Sequence, residues 1–220
     1  MSGRGQRLLA LLALRGGATR TVIAGMLWPD VPEERARASV RTTVCEVQRS
    51  LPGLLTVGPQ TLRLSAEVEV DVTALLALAG AALRSTVEPA DGALPQSVVD
   101  LLPGHRLSGP LLAGWTDDWV LVESERLHHL RLHALDAWVD RALTLEFLAL
   151  ALALAEAAVE VDPLRESAHR RLMQIHLAQG NIASAVRQYH QFTALLHQAL
   201  GIRPSRLIAE LADSILLVSR

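Results

Sequence analysis

The sequence predicts a mainly α-helical chain in two parts, interrupted once by a small β-hairpin. Three observations lead there. Half of the residues are apolar but only 3% are aromatic, so the core must be built from Leu, Ala and Val, which favours packed helices over a β-sandwich. Apolar residues recur at three- and four-residue spacing over most of the chain, and the period falls to two only between residues 54 and 72. Charge is also divided. Residues 1–63 hold nine Arg against Asp30, Glu33, Glu34 and Glu46, a net of +5, while residues 64–220 hold twelve Arg against nineteen acids, a net of −7. A basic head suits a polyanion, and an acidic body suits protein.

The elements follow in order. Residues 4–15 read as a first helix with Leu8, Leu9, Leu11, Leu12 and Leu14 on a broad apolar face, stopped by Gly16-Gly17. Thr19 or Thr21 caps a second helix carrying Val22, Ile23, Met26 and Leu27, and Trp28-Pro29 ends it. After the turn PDVP a third helix starts at Glu33 and Glu34, whose charges suit a helix N-terminus, and runs to Leu51 before Pro52-Gly53. Leu55 and Val57, a turn at Gly58-Pro59, then Leu62 and Leu64 alternating with Thr61, Arg63 and Ser65 describe a hairpin. Val68, Val70 and Val72 alternate with acids and predict a last edge strand.

Beyond it the period is helical again: a helix over 73–84, a Pro- and Gly-rich linker over 85–114 with a short helix near 95–102, then helices over 116–145, 147–161, 165–179, 181–200 and 204–218. The expected domains are 1–72, a connecting helix and linker over 73–109, and an all-α body over 110–220.

Helix, turn, helix and hairpin, with a basic third helix, is the plan of a winged helix-turn-helix. On a wheel at about 100° per residue, Ala36, Val40, Val44, Val47 and Leu51 form the core face of the third helix. Arg35, Ala38, Arg41, Thr42, Cys45 and Arg49 lie opposite. Arg reads guanine or binds phosphate, and Thr contacts a thymine methyl or a phosphate. Arg63 is the natural wing contact, and Arg20 and Thr21 stand where the second helix would grip phosphate through its N-terminus.

Other chemistry is not suggested. A single Cys, Cys45, excludes a disulfide framework and a Cys-based zinc site. There is no phosphate loop, nucleophile elbow or dinucleotide fingerprint, and the spacing of His129 and His133 fits a solvated helix face better than a metal site. No catalysis, cofactor or metal is therefore expected. The apolar stretch 142–161 is broken by Glu146, Glu156 and Glu160, so it reads as a buried helix, with no membrane partner. Residues 8–14 are too short, and lack the cleavage pattern, for a secretory signal, so a cytoplasmic protein is expected.

In the body, Ala168, Leu172, Gly180, Ala185 and Tyr189 fall about where a tetratricopeptide-like helix pair wants them, and such repeats form protein-binding surfaces. Residues 110–126 (PLLAGWTDDWVLVESER), 130–138 (LRLHALDAW), 162–192 (DPLRESAHRRLMQIHLAQGNIASAVRQYHQF) and 200–205 (LGIRPS) resemble the bacterial transcriptional activator domain. Residues 19–51 resemble the winged-helix half of the same regulators, the SARP family of actinobacterial antibiotic pathways. The resemblance implies sequence-specific binding to direct repeats in double-stranded promoter DNA, dimeric occupancy there, and recruitment of RNA polymerase by an activator. It maps the recognition helix onto Arg37, Arg41, Thr42, Thr43, Cys45 and Arg49. The chain departs from the pattern at two points: most of the small sheet usual before the first helix is missing or lies upstream of Met1, and Glu46 and Gln48 stand where basic residues are usual. Glu46 is expected to oppose phosphate. These departures keep a second reading open: an interaction adaptor of tetratricopeptide type that has lost effective DNA binding.

Overall fold

The computed structural model describes residues 1–85, 94–105, 107 and 109–218. Part of the predicted linker lies outside these residues. The chain is mainly helical, with one small antiparallel sheet near its N-terminus. It divides into two compact units: Met1–Ala74 with Thr116–Glu123, and Leu75–Trp115 with Ser124–Arg220.

The first unit is built on three helices. In α1 (Gly3–Arg15), Ser2 caps the start by accepting from the Gly5 amide, and Gly16 ends it in the left-handed region at φ 66°. Thr19 Oγ1 accepts from the Val22 amide and so starts α2 (Arg20–Leu27), as the sequence allowed. α3 (Glu33–Ser50) begins on Pro32 with Glu33 and Glu34 in its first turn. Leu8, Leu11, Leu12, Ile23, Ala24, Leu27, Ala36, Val40, Val44 and Val47 interlock with Leu55 and Leu62 of the sheet in one core. Trp119 packs against that core from the segment 116–123.

The sheet has three strands in the order β1-β3-β2: β1 (Ala18–Thr19), β2 (Leu55–Val57) and β3 (Thr61–Leu64). The hairpin β2–β3 was expected; β1 was not, because two residues carry no period. The edge strand predicted at Val68, Val70 and Val72 does not form. The Val68 amide instead closes a turn on the Ser65 carbonyl, and the Thr73 and Ala74 amides bond to the Val70 carbonyl as α4 (Asp71–Ser85) starts. Alternation alone does not make a strand: the Val68, Thr73 and Ala74 amides are committed to turn and helix bonds rather than to a neighbouring strand.

Two expectations for α3 need correction. Leu51 is 41% exposed, because the helix ends at Ser50 and Leu51 has φ −138°, which takes it off the wheel. Thr43 is 2% exposed and belongs to the core face with Val40 and Val47.

The second unit continues with a 3-10 turn (Gln96–Leu101), most of α5 (Asp118–Thr144), and α6 (Leu148–Val161), α7 (Glu166–Ala178), α8 (Ile182–Leu200) and α9 (Arg206–Val218). α7 packs against α6 and α8, and α9 against α7 and α8. Close approach rests on small residues: Ala151, Ala155, Ala157 and Ala158 of α6, Ala168 of α7 and Ala185 of α8 are all buried. Gly180 and Gly201, at φ 75° and 68°, turn the chain between helices where a side chain would be strained. Asp136 on α5 meets Arg165 at 2.7 Å and Arg171 at 3.2 Å, and Arg171 also grips Asp140 with two bonds of 2.9 and 2.7 Å. Burial alone would lower the Arg171 pKa, but Asp140 and Asp136 outweigh it and raise it.

His169 is buried in this unit. Its Nε2 lies 2.9 Å from the Pro163 carbonyl, its Nδ1 lies 2.7 Å from Gln188 Nε2, and its ring stacks on Phe192 at 4.1 Å. That pattern suits the neutral tautomer protonated on Nε2. Burial holds its pKa below the usual histidine value, against weaker opposing effects of the Pro163 carbonyl and Asp162. No helix among the described residues is long and apolar enough to cross a membrane.

Candidate nucleic-acid interface

Burying Ala36, Val40, Thr43, Val44 and Val47 turns the other side of α3 outward. Arg35, Arg41, Thr42, Cys45 and Arg49 are exposed there, with Ala38 half-buried between them. Among the described residues the guanidinium groups of Arg35, Arg41 and Arg49 make no hydrogen bond and no ion pair. The small side chains at Ala38 and Cys45 let the helix backbone come close to whatever faces it. The Thr42 hydroxyl donates back to the Ala38 carbonyl at 3.1 Å, which leaves its oxygen lone pairs and methyl group outward. Cys45 carries a free, exposed thiol.

The remaining candidates are placed differently. Thr43, assigned to the recognition surface by resemblance, is inside the core and presents nothing to a ligand. Arg37 is exposed, but its Nη2 sits 2.8 Å from Glu33 Oε1 and donates to Thr21 Oγ1 at 3.1 Å, tying α3 to the start of α2. Arg20 is half-buried. Its Nη1 donates to the Gly58 and Pro59 carbonyls at 3.1 and 2.9 Å, and its amide donates to the Gln60 carbonyl. With the Val22 amide also satisfied by Thr19, most early amides of α2 are used within the fold. The N-terminus of α2 is therefore less open to phosphate than the sequence suggested.

Arg63, on the central strand, is exposed. Its aliphatic stem runs over Gly17, where an added Cβ would lie 2.6 Å from Arg63 Cγ; Gly17, at φ 144°, is thus needed for both space and backbone. Arg63 is paired with Thr56 in the hairpin, and its Nε would lie 3.2 Å from a Cβ at Gly17.

Glu46 does not stand as a free negative charge. Its Oε1 accepts from the Ser2 amide at 3.0 Å. The bonds from Ser2, aided by the amino terminus and Arg4, hold its carboxyl below the usual carboxylate range. It thus anchors the start of α1. The brace from Arg20 to the wing, the latch from Arg37 to Thr21 and this anchor were all missed in sequence, since each joins residues far apart in the chain. No group of three or more His, Cys, Asp or Glu among the described residues could hold a metal ion.

The chain is similar to known proteins in sequence and in fold. The profile of the bacterial transcriptional activator domain matches residues 70–216. The regulatory protein AfsR of Streptomyces coelicolor is 31% identical over 222 residues, a match covering 95% of this chain and 21% of that protein. The chain thus spans about a fifth of the length of that relative. The fold is shared with Mycobacterium tuberculosis EmbR, solved in complex with a low affinity phosphopeptide, at a TM-score of 0.72 and 22% identity over 98% of this chain and 59% of that one.

Proposed function

The chain belongs to the SARP family of bacterial transcription regulators, and on that premise we propose that its head binds double-stranded promoter DNA sequence-specifically, with α3 in the major groove and the β2–β3 wing on the flanking backbone. One observation carries this reading: three unpaired guanidinium groups, Arg35, Arg41 and Arg49, share one exposed face of α3 in a basic head. A major groove about 12 Å wide admits such a helix. Family likeness supports the finer steps. Two copies occupy adjacent direct repeats, and the acidic body recruits RNA polymerase as an activator does.

An adaptor reading, with DNA binding lost, is favoured by a different fact. Arg20 and Arg37 are engaged within the head, so fewer cations remain to neutralise phosphate.

Fluorescence anisotropy on duplexes from the chain's own promoter region, with one repeat or two, separates the readings. Arg41→Ala and Arg49→Ala should each weaken binding by about 1–3 kcal/mol, roughly five- to more than a hundredfold, wherever the residue makes a bidentate base contact. Unchanged affinity with both replaced would exclude α3 as the reader. No salt-sensitive binding to any such duplex would favour the adaptor.

A further inference from the structure

Arg20 was expected to touch DNA, but its surroundings assign it another task. We propose that Arg20 is a positioning residue that locks the wing to the start of α2, so that Arg63 meets the DNA backbone in a fixed place; this rests on the DNA-binding reading above.

The wing tip is a tight turn in which the Gly58 amide bonds to the Thr61 carbonyl at 2.9 Å. Such a turn leaves carbonyl oxygens without partners in the hairpin. Two of them, Gly58 O and Pro59 O, converge on Arg20 Nη1, and the neighbouring Gln60 carbonyl accepts from the Arg20 amide. Three consecutive carbonyls are therefore held by one residue. A charged donor makes such bonds stronger than neutral ones. The same contacts cover partial negative charge at a tip that would face phosphate. A two-stranded ribbon is marginal alone; here Leu55 and Leu62 bury its base in the core and the two-residue strand β1 pairs one edge, while Arg20 holds the tip. Arg37 donates to Thr21, the next residue along, so the recognition helix and the wing are referred to one short stretch of chain.

A phosphate contact and a brace predict different behaviour. If Arg20 only bound phosphate, its loss would leave the free wing unchanged, and the effects of Arg20→Ala and Arg63→Ala on affinity would multiply. If Arg20 braces the wing, Arg63 loses its fixed position when Arg20 goes, and the second replacement adds little.

The test uses the full chain. Amide hydrogen exchange without DNA should show the Gly58 amide exchanging several-fold faster in Arg20→Ala, with α3 amides unaltered. Arg20→Lys, which keeps the charge but on a shorter side chain whose ammonium does not reach the position of Nη1, should also exchange faster at Gly58. On a duplex the wild type binds, Arg63→Ala should weaken binding several-fold in the wild-type background and less than twofold in the Arg20→Ala background. Unchanged exchange at Gly58, or multiplying fold-losses, would overturn the proposal. The exchange experiment needs no DNA, so a failure of the DNA-binding reading would leave it standing and be seen separately.

Discussion

Replacing Asp136 with Ala should expose how the second unit is held together. The Asp136 carboxylate is 13% exposed, and it faces Arg165 and Arg171, which are 22% and 12% exposed. Its Oδ2 takes a 2.7 Å bond from Arg165 and a longer one of 3.4 Å from Ser167, while its Oδ1 lies 3.2 Å from Arg171 Nη1 in an ion pair that is not aligned as a hydrogen bond. Removing one partner of a buried pair costs about 3–5 kcal/mol, because the other charge is left desolvated. Two facts temper that here. Arg171 keeps its two bonds to Asp140, and some water reaches Arg165. Arg165 has no second partner among the described residues, and its Nε is already buried without one. The expected loss is therefore about 2–3 kcal/mol, at or below the bottom of that range. Urea unfolding followed by circular dichroism measures it. Asp136→Leu combined with Arg165→Met removes both charges and should recover most of the loss. A loss below about 0.5 kcal/mol for Asp136→Ala, the scale of a surface substitution, would show that the pair is solvated and the reasoning wrong.

Three further outcomes are expected. Thr43→Val, nearly the same shape without the hydroxyl, should leave DNA affinity within about twofold, since Thr43 is in the core; a loss above about tenfold would return it to the DNA face. Because burial lowers the His169 pKa, the unfolded chain binds the proton more readily, so this group's contribution to stability is full above the ordinary value of 6.5 and is lost as pH falls from there toward the lowered folded value. Urea unfolding at pH 8 and pH 5.5 should show that dependence shrinking in His169→Gln. Glu46→Ala should speed exchange at the start of α1, where Glu46 holds the Ser2 amide, and equal exchange in both proteins would show that the anchor does nothing.

Much of the architecture was legible because its signals are local. The five C-terminal helices follow apolar spacing, the last four separated by Asp162-Pro163, Gly180-Asn181 and Gly201, and their ends fall within about two residues of expectation. The hairpin was legible from alternation around Gly58-Pro59. β1 was not, since a two-residue strand is defined by its partner rather than by its own pattern. The Val68 to Val72 segment failed for the converse reason, having the pattern without a partner.

The wheel on α3 placed Ala36, Val40, Val44 and Val47 inside and Arg35, Arg41, Cys45 and Arg49 outside, because the periodicity of a helix is written in its residues. What the wheel could not show is which polar residues are engaged. Whether Arg37 is open depends on Glu33 and on Thr21, 16 residues earlier; Arg20 on carbonyls 38 and 39 residues later; Glu46 on an amide 44 residues away. Periodicity decides facing, and that much was determined by the sequence alone. The engagement of a charge depends on whichever donors and acceptors the fold brings within about 3 Å, so only the tertiary structure could tell the free arginines from the bracing ones.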